Sequence, residues 1–516
     1  MTDRFHPPFL IGIDVGTQSV RALAFDTLGN QVAVARRPTP EKRIPPDGRE
    51  YDPDAIFDSV VECLGEVAVA LGGRPVAGIA VASIGESCVL VDEAGRSLVP
   101  SIAWFDARTE AEAERLRQTI GIERVFEITG LQIDKIFTLC KLMWMRKHWP
   151  DAMRRTRKVL LMADWVAFRL SGETATDFSI ASRTLYLDLR RRRWSDELIG
   201  LAGFDRSVLP PLKPSGTPLG PVRPEILAAT GLAGNPVVGV GAHDHVSGGM
   251  AVGLAQQGTM VDSIGTAEAI LLALTQSSTD PMVSRLNLFQ GAFEAQRSLY
   301  YLGASVCFAG GTMEWFRGLI GQPPHAELIA EGEAVAPGSD GIVFLPHMVG
   351  TNSSDPEHPV RGAFIGLTTT TSRGQLYRAV LEGLAMRAAF VVDACAGLEG
   401  VAKPDRILLI SGGARNPLLA AIKASAFGRP VTVVDVSEAT ALGAALLGGL
   451  AGGLWPNLDV ALSALDRREH LVAPDEDLVR LYQDVRRSVF DRLQPILWPV
   501  DSKLSGIAEP AGRAAG

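Results

Sequence analysis

Short apolar runs separated by small polar turns dominate the start of the chain. One apolar run fills residues 9–15, and a second fills residues 20–26 after a turn of Gly, Thr, Gln and Ser. A third covers residues 31–36 after a Gly-Asn turn. Strand-length runs joined by tight turns are typical of an antiparallel meander, so the pattern predicts three neighbouring strands.

Longer segments follow this meander. The pattern predicts a helix over residues 53–71, a buried strand over 76–83, and helices over much of 107–170. A strand–turn–strand pattern recurs over residues 259–274, in the middle of the chain. This recurrence predicts two related α/β halves with a cleft between them.

The second half continues with alternating strands and helices. The predicted elements are a strand over 405–410, a helix over 417–427, a strand over 431–434 and a helix over 439–450. The strands are short and β-branched, whereas the last helix is rich in Ala, Leu and Gly. That composition predicts a tightly packed helix.

The length of 516 residues suits two domains of about 250 residues each. We expect an N-terminal domain at 1–253 and a C-terminal domain at 254–500, divided near 253–258. Residues 501–516 are rich in Ser, Gly, Pro and Ala, and we expect them to form a flexible tail.

Composition and charge exclude some classes of function. The chain is 47% hydrophobic and 21% charged, as in ordinary globular proteins, and its net charge is -8. Binding to nucleic acid depends on clustered Lys and Arg, and the densest basic run, residues 190–193, is better explained as a solvated turn. We therefore expect no nucleic-acid partner.

The five cysteines are scattered singly, without a Cys-x-x-Cys pair. This spacing fits neither a disulfide framework nor a zinc site, and it is typical of a reducing compartment. The chain does not start with a basic and then apolar leader, and no run reaches the ~20 apolar residues of a membrane span. We expect a cytoplasmic protein with no membrane partner.

The first turn has the chemistry of a phosphate site. Asp14 lies at the end of the first run, and the turn after it contains Gly16, Thr17, Gln18 and Ser19. Successive backbone amides in such a turn form an anion-binding nest. Asp14 is suited to hold a hydrated Mg²⁺ beside phosphate oxygens. An ordinary hairpin turn is the alternative.

A second turn, with Gly265 and Thr266, has similar small residues but no carboxylate. Two facing turns of this kind can hold a polyphosphate from both sides.

Residues 411–416, Ser-Gly-Gly-Ala-Arg-Asn, follow a predicted buried strand and open a helix. Adjacent glycines there let a flat ligand approach the backbone, although Gly-Gly after a strand is common.

Asp244 lies in a His-Asp-His segment just after the apolar run 236–240. A carboxylate at the end of a buried strand, before small residues, suits a base that accepts a proton from an attacking hydroxyl. Alternatively, Asp244 only caps the following helix. His243 is a candidate substrate contact. A metal site formed by His243 and His245 is less favoured, because no third ligand is evident.

Residues suited to a sugar site occur earlier in the chain. Glu86 and Asp106 offer paired oxygens for hydroxyl groups, and Trp104 offers an aromatic face for the apolar side of a sugar. We expect these three residues to contact the substrate. Arg108 is equally suited to bind substrate or to act as a structural partner of Asp106.

Taken together and in order, these segments resemble the FGGY family of carbohydrate kinases. The resemblance covers about residues 9–455 and includes seven motifs. They are Ile-Gly-Ile-Asp-Val-Gly-Thr-Gln-Ser from 11, Trp-Phe-Asp-Ala-Arg from 104, Ala-Asp-Trp-Val from 163, Gly-Ala-His-Asp from 241, Ile-Gly-Thr-Ala from 264, Ser-Gly-Gly-Ala-Arg-Asn from 411 and Glu-Ala-Thr-Ala-Leu-Gly from 438. Each motif alone is common, but seven in the family's order are specific.

The resemblance implies a two-domain α/β fold, actin/hexokinase-like (ribonuclease H-like), with an interdomain cleft. It also implies ATP and Mg²⁺ as cofactors, with substrate mainly on the N-terminal domain and nucleotide mainly on the C-terminal domain. On this resemblance Asp244 is the general base and Asp14 lies on the metal side. The other roles carried over are phosphate binding by Thr17, Gln18 and Thr266, and nucleotide contact by Gly310, Gly311, Gly413 and Asn416.

The resemblance also bears on the substrate. The His243-Asp244 pair and residues 78–81 and 89–95 look most like the L-fuculose and L-rhamnulose kinases, so we favour an L-fuculose-type ketose. That branch tends to have Gly-Val-Asp where this chain has Gly-Glu-Ser at 85–87, and glycerol kinases have Arg-Glu there. Xylulose, ribulose, glycerol and other polyols stay open as substrates, and a homodimer stays open as the assembly.

Two other classes of function compete with a kinase. One is a sugar- or nucleotide-binding regulator on the same fold, and the other is a chaperone- or actin-like ATPase without a small acceptor. The candidate base and both phosphate turns favour an active enzyme over a regulator. The Trp and carboxylates of the first half favour a small-molecule acceptor over a simple ATPase.

Overall fold

The structure is a computed structural model that describes residues 6–508 except 47, 295–296, 349–360 and 437, with only the backbone described at 505–508. Two α/β halves follow each other along the chain, as the recurring pattern predicts. The link between them, residues 253–258, lies between the last helix of the first half and the first strand of the second.

The first half contains thirteen strands and ten α-helices among the described residues. The strands are β1 (Phe9–Val15), β2 (Ser19–Phe25), β3 (Gln31–Pro38), β4 (Glu41–Ile44), β5 (Gly48–Tyr51), β6 (Val76–Ser83), β7 (Cys88–Val91), β8 (Ser101–Ile102), β9 (Lys158–Leu161), β10 (Leu187–Asp188), β11 (Arg193–Trp194), β12 (Pro218–Pro221) and β13 (Gly234–His243). The helices are α1 (Pro53–Leu71), α2 (Glu110–Thr119), α3 (Ile122–Thr129), α4 (Thr138–His148), α5 (Pro150–Arg155), α6 (Met162–Ser171), α7 (Phe178–Ala181), α8 (Asp196–Leu201), α9 (Pro224–Thr230) and α10 (Asp244–Val252).

The second half contains nine strands and nine α-helices among the described residues. The strands are β14 (Thr259–Ile264), β15 (Glu268–Leu274), β16 (Phe289–Glu294), β17 (Ser298–Cys307), β18 (Val343–Leu345), β19 (Ala363–Ile365), β20 (Arg406–Ile410), β21 (Val431–Val434) and β22 (Glu469–Val472). The helices are α11 (Met282–Arg285), α12 (Ala309–Leu319), α13 (His325–Glu333), α14 (Arg373–Ala396), α15 (Pro417–Phe427), α16 (Ala439–Ala451), α17 (Leu458–Ala464), α18 (Glu476–Val485) and α19 (Asp491–Ala508). The strands and helices predicted from the pattern are therefore confirmed.

The two large sheets share one topology. The first has the order β12-β13-β6-β1-β2-β3, and the second has the order β16-β17-β15-β14-β20-β21-β22. In each, an opening antiparallel hairpin (β1–β2, β14–β15) continues into parallel pairing on its other side (β1–β6, β14–β20). The corresponding order of strands confirms the expected duplicated α/β architecture.

Helix α16 belongs to the second half but packs against the sheet of the first and against α10. Glycines make this close packing possible. A Cβ on Gly12 would lie 1.8 Å from the carbonyl oxygen of Ala441, and a Cβ on Gly443 would lie 2.0 Å from that of Ser247. Helices α10 and α16 therefore form a close contact between the halves.

The end of the chain differs from expectation. Helix α19 continues through Asp501 to Ala508, and the buried carboxylate of Asp501 accepts a hydrogen bond from the backbone N–H of Arg361 at 3.3 Å. The structure thus describes residues 501–508 as part of a helix, whereas the composition predicts a flexible tail from residue 501. Residues 509–516 lie outside the described residues.

All five cysteines are free thiols, in agreement with their scattered spacing. Across the part of the chain that the structure describes, no helix combines the length and apolarity needed to cross a bilayer.

Candidate active site

The first predicted phosphate turn joins β1 to β2. The N–H of Gly16 donates to the carbonyl of Ser19 at 3.0 Å, which closes the turn. Thr39 holds the turn in place from one side. Its hydroxyl donates to the carbonyl of Gly16, and its N–H donates to the carbonyl of Gln18. Thr17 is half-buried and Gln18 is exposed. The turn is therefore held from behind and open in front, as an anion site requires.

Asp14 lies buried at the end of β1, and Arg21 of β2 holds it. The Arg21 guanidinium pairs with Asp14 and also with Glu438, at 2.6 Å, just before α16. Burial raises the pKa of Asp14 to about 6, against the lowering effect of Arg21, and the nearby charge of Asp244 adds to the rise. Arg21 thus connects the first turn to the second half of the chain.

Asp14 also meets the requirements for an outer contact to Mg²⁺. Arg21 takes its Oδ2, whereas no donor among the described residues reaches Oδ1. The neighbouring charge of Asp244 opposes ionisation of Asp14, and a cation would relieve this opposition. The described residues contain no cluster of three or more His, Cys, Asp or Glu that would enclose a metal. The donor set therefore suits a hydrated Mg²⁺ that also takes phosphate oxygens.

Asp244 is the first residue of α10, directly after β13. The N-cap position is taken by His243, and the only hydrogen bond to the Asp244 carboxylate among the described residues comes from the N–H of His245, at 2.6 Å. Asp244 is therefore not the N-cap residue itself, although its carboxylate accepts from one N–H of the first helical turn. About a quarter of the Asp244 side chain is exposed, so one face of the carboxylate is open.

The surroundings of Asp244 keep it ionised. Burial acts to raise its pKa, but His243, His245, the N–H of His245 and Arg183 outweigh burial and hold the pKa below the ordinary value. Its position at a helix N-terminus favours the charged form further. Asp244 and Asp14 are therefore neighbouring carboxylates with pKa values shifted in opposite directions, a common property of acid–base sites.

His243 lies directly beside Asp244. Its Nδ1 is 3.2 Å from Asp244 Oδ1, but the geometry does not make a hydrogen bond, and its backbone N–H donates to the hydroxyl of Ser179. Burial lowers the pKa of His243 to about 4, so the ring is neutral at physiological pH. A neutral imidazole offers one donor and one acceptor to a ligand.

Glu86 is held by an arginine that the sequence did not single out. Arg183 Nε donates to Glu86 Oε1 at 2.7 Å, and Arg183 Nη2 forms an ion pair with the same oxygen at 2.6 Å. Glu86 has a φ of 60°, a conformation that is costly for a residue with a side chain and that is concentrated at functional sites. A Cβ on Gly85 would lie 3.0 Å from both Arg183 and His243. Glu86, Arg183 and His243 therefore lie close together around Gly85.

Residues of the Trp-Phe-Asp-Ala-Arg segment make two kinds of contact, one with the first phosphate turn and one within the protein framework. The Trp104 indole N–H donates to the hydroxyl of Thr17 at 2.9 Å, which links the sugar-site candidate to the first phosphate turn. Both oxygens of Asp106 are instead taken by protein donors, from Arg108 and from the N–H of Arg49. Arg108 also pairs with Glu50. The structural-partner interpretation of Arg108 is confirmed, and Asp106 has no free oxygen for substrate.

The second turn lies between β14 and β15 and contacts the start of α12. The N–H of Gly310 donates to the carbonyl of Gly265, and that of Gly311 donates to the carbonyl of Thr266, each at 3.0 Å. A Cβ on Gly310 would lie 2.3 Å from the Gly265 oxygen. Gly310 and Gly311 thus support the turn, and Thr266 is exposed at its tip.

Two neighbouring cavities lie where the halves meet, and both are lined by Ser411. The first, of about 200 Å³, is lined by residues of both halves: Arg21, Asp244, His245, Gly248, Ser263, Ile410, Ser411, Glu438, Ala439 and Thr440. The second, of about 270 Å³, is lined by residues of the second half: Ser411, Ala414, Arg415, Val433, Val434, Asp435 and Val436. Ser411 therefore lies between the cavity that contains Asp244 and the cavity that reaches β21.

Two predicted nucleotide residues lie behind this lining. A Cβ on Gly413 would lie 2.3 Å from Ile264 Cγ2, so glycine is needed for packing. Asn416 caps α15 by accepting from the N–H of Leu419, and its amide donates to the hydroxyl of Tyr377 at 3.0 Å. Ser411, Ala414 and Arg415 are the residues of this segment that line the cavity.

Sequence reasoning missed Arg21, Arg183 and Glu438. Glu438 opens a motif that the family resemblance includes, and Arg21 follows the first turn by two residues. Their places in the sequence therefore gave a weak indication that both residues lie near the site. Arg183 had none, because its partner Glu86 is 97 positions away.

Comparison with known proteins agrees with this geometry. Models of the FGGY family of carbohydrate kinases match the chain with the N-terminal domain over residues 9–251 and the C-terminal domain over 260–452. A xylulose kinase of Lactococcus lactis subsp. lactis (strain IL1403) is 28% identical over 487 residues, which cover 92% of this chain and 95% of the relative. An L-fuculokinase of Escherichia coli (strain K12) is 31% identical over 447 residues, which cover 85% and 91%.

The solved structure of a xylulose kinase from Rhodospirillum rubrum superimposes with a TM-score of 0.86 at 29% identity, covering 96% of this chain and 100% of that one. The two domain matches and this structural likeness extend over nearly the whole chain, including both turns, Asp244 and α16. The chain belongs to the FGGY family of carbohydrate kinases, ATP-dependent phosphotransferases with the two-domain actin-like fold.

Proposed function

We propose that this kinase transfers the γ-phosphoryl group of ATP to a hydroxyl of a small ketose, with Asp244 as the general base. The observation that supports this most is the cleft in which Asp244 faces Ser263, Ser411 and Glu438 of the other half. A carboxylate at that place can accept the proton of an acceptor hydroxyl bound on one half while phosphate is held by the other.

Phosphoryl transfer depends chiefly on position and on stabilisation of charge. The turn with Thr17 and the turn with Thr266 provide amides and hydroxyls for phosphate oxygens from opposite halves. Asp14 provides the outer contact to Mg²⁺, which neutralises phosphate charge when it is bound. Asp244 holds the proton after the hydroxyl attacks, because its lowered pKa leaves it ionised beforehand.

The nucleotide base and ribose fit the second cavity. Its lining combines the apolar Val433, Val434 and Val436 with the Arg415–Asp435 pair, whose charged groups are 3.4 Å apart. An apolar wall with a few polar groups suits a heteroaromatic ring with a sugar. The shared residue Ser411 has a φ of 74°, so its backbone turns where the two cavities meet.

The acceptor site is formed by Glu86, Trp104 and His243, with Asp244 at its inner end. Arg183 takes Oε1 of Glu86 and leaves Oε2 for a sugar hydroxyl. Two of the relatives phosphorylate xylulose and L-fuculose according to their names, and both are ketoses. These names support a ketose as the class of acceptor, with an L-fuculose-type sugar and xylulose as the first candidates.

A coupled ADP-release screen over ketopentoses, 6-deoxyketohexoses and polyols tests this proposal. We expect ADP release that depends on one ketose. The Asp244→Asn variant should lose ~10²–10⁴-fold in kcat and keep its affinity for nucleotide, because only the base is removed. Asp92→Asn, a carboxylate held by Arg96 outside the cleft lining, is the matched control and should retain activity.

Near-normal turnover of Asp244→Asn would remove Asp244 from the role of base. ADP release that is as fast without any acceptor as with the best one would contradict the ketose acceptor. Preference for a polyol over every ketose would replace the proposed substrate class while leaving the kinase chemistry intact.

A further inference from the structure

A charged cluster is buried in the second half, away from the lining of the cleft. Lys423 of α15 is fully buried, and its Nζ donates to Asp262 Oδ2 at 2.5 Å and also to Glu268 Oε1. Both carboxylates are at most 1% exposed. Buried charges of this kind cost desolvation, and well-packed apolar residues often replace them without loss of stability. Stability alone is therefore a poor reason for this cluster.

The two carboxylates lie on either side of the second phosphate turn. Asp262 is in β14 and Glu268 is the first residue of β15, so the tip with Gly265 and Thr266 lies between them. In the hairpin register Glu268 pairs with Ile264, which places Asp262 and Glu268 on the same face, one diagonal step apart. Lys423 therefore holds both arms of the turn from below.

Helix α15 connects the Lys423 ion pairs to the nucleotide cavity. The helix begins after residues 412–415, which include the cavity-lining Ala414 and Arg415, and Asn416 caps it. Lys423 lies about two turns further along the same helix. One rigid helix thus reaches the base-and-ribose cavity at its start and the phosphate turn through Lys423.

The cluster is arranged to be close to neutral. Asp262 Oδ1 is buried without a hydrogen-bond partner among the described residues, and an ionised oxygen in that setting is costly. Burial raises the pKa of Asp262 above its ordinary value, against the lowering effect of Lys423, and the adjacent Glu268 adds to the rise. With Asp262 protonated, Lys423 and Glu268 cancel. The remaining groups that face the cluster are Cys307, whose thiol lies 3.5 Å from Glu268, and Arg387 of α14.

We propose that Asp262, Glu268 and Lys423 are positioning residues that hold the second phosphate turn in register with the nucleotide cavity. They act through the backbone of the turn and touch neither nucleotide nor sugar. They also keep uncompensated negative charge from lying beneath a turn that must bind polyphosphate. This inference rests on the proposed function, because that function gives the turn its phosphate role.

The first test compares two buried ion pairs of the same domain. Lys423→Met breaks the cluster, and Arg378→Met breaks the equally buried Arg378–Glu382 pair, at 2.8 Å, which contacts Tyr482 and not the turn. Both variants should lower the melting temperature. Only Lys423→Met should also raise KM for ATP or lower kcat, by up to about 10²-fold, since small displacements of positioning groups have effects of that size. KM for the sugar should stay unchanged.

The inference would be overturned if Lys423→Met and Arg378→Met had the same KM for ATP and the same kcat at equal stability. Two near-isosteric changes keep the test informative if Lys423→Met fails to fold. Glu268→Gln should weaken nucleotide binding, because a neutral amide binds the Lys423 ammonium less strongly than a carboxylate does and so loosens the contact with the β15 arm of the turn. Asp262→Asn should have a smaller effect than Glu268→Gln, because burial and Glu268 favour the protonated form of Asp262, which an amide resembles.

The pH dependence gives an independent readout. As the pH rises through the raised pKa of Asp262, its carboxyl ionises and adds negative charge beneath the turn, so KM for ATP should rise on the alkaline side. Asp262→Asn should abolish that rise, and an unchanged rise in this variant would contradict the inference.

Thr266→Ala separates this inference from the proposed function. Unchanged KM for ATP in Thr266→Ala would count against the phosphate role of the turn itself. Weakened nucleotide binding in Thr266→Ala together with normal binding in Lys423→Met and Glu268→Gln would overturn only the positioning role.

Discussion

Neighbouring carboxylates in the cleft differ in charge because their surroundings differ. Asp244 begins a helix and receives an N–H, whereas Asp14 is more deeply buried and has only Arg21 as a donor. The first is ionised well below neutral pH, and the second takes up a proton near pH 6. At the residue scale, burial and a few contacts therefore assign the base and the metal-side carboxylate.

The raised pKa of Asp14 predicts an acid limb in the pH–rate profile. As the pH falls through about 6, Asp14 of the free enzyme becomes neutral while Asp244, with its lowered pKa, stays ionised, so kcat/KM for ATP should fall in that range. Higher Mg²⁺ should move the limb to lower pH, because a cation favours the ionised form. The measurement is kcat/KM for ATP against pH at two Mg²⁺ concentrations.

Asp14→Asn is the control for this limb. It should have low activity and a flat profile between pH 5 and 7, since no carboxylate titrates at that position. An acid limb that persists in Asp14→Asn would assign the titration to another group.

Substitution of Arg183 should weaken binding of the sugar and leave binding of ATP unchanged. Lysine keeps the charge but lacks the planar guanidinium that brings both Nε and Nη2 to Glu86 Oε1, so Arg183→Lys should misplace Glu86. We expect KM for the sugar to rise by about 10-fold to 10²-fold, as is usual when a positioning contact is loosened, while KM for ATP stays unchanged.

Arg192→Lys is the matched control for this prediction. Arg192 pairs with Glu294 at 2.7 Å and is as little exposed as Arg183, but it lies outside the sugar pocket. Similar sugar KM values for Arg183→Lys and Arg192→Lys would contradict the assignment.

At the scale of elements, glycines let α16 lie against α10 and the first sheet. Gly443 faces the Ser247 carbonyl, and a methyl group there would be 2.0 Å from the oxygen. Gly443→Ala should therefore destabilise the protein by about 1–3 kcal/mol, because backbone cannot yield as a side chain does. Thermal or urea unfolding measures the change.

The exposed helical residue Gly318 of α12 provides the comparison, since a Cβ there would meet nothing within 4 Å. Gly318→Ala should be neutral or stabilising by up to about 1 kcal/mol. Equal effects of the two substitutions would show that α16 does not pack as closely as described.

At the scale of the whole molecule, the site is complete only when the two halves act together. Asp244 and Glu86 belong to the first half, whereas Thr266 and Ser411 belong to the second. Water must be excluded from the γ-phosphate during transfer, which domain closure achieves. We expect the radius of gyration from small-angle X-ray scattering to fall when a non-hydrolysable ATP analogue and the sugar bind together.

Each ligand alone should produce a smaller change, because each contacts mainly one half. An unchanged radius of gyration with both ligands bound would contradict closure. Glu438→Gln, which removes the charge that Arg21 of the first half contacts, shows whether the Arg21–Glu438 pair restrains the open form.

The sequence by itself determined the local features of this protein. The strands, the helices, both glycine turns and the place of Asp244 after a buried strand follow from apolar periodicity and turn residues within a few positions of each other. The resemblance of seven ordered motifs to one family was also enough to predict the duplicated fold and the kinase class.

Only the tertiary structure decided which charged groups meet. Arg21 pairs with Glu438 across 417 positions, Lys423 with Asp262 across 161, and Arg183 with Glu86 across 97. The structure likewise shows that two predicted ligand-binding residues have structural contacts instead. Asp106 pairs with Arg108, and Asn416 caps a helix. Apolar periodicity specifies which face of an element is buried, but ion pairs depend on how distant elements pack, and many Arg and Lys residues are chemically equivalent candidates until the chain folds.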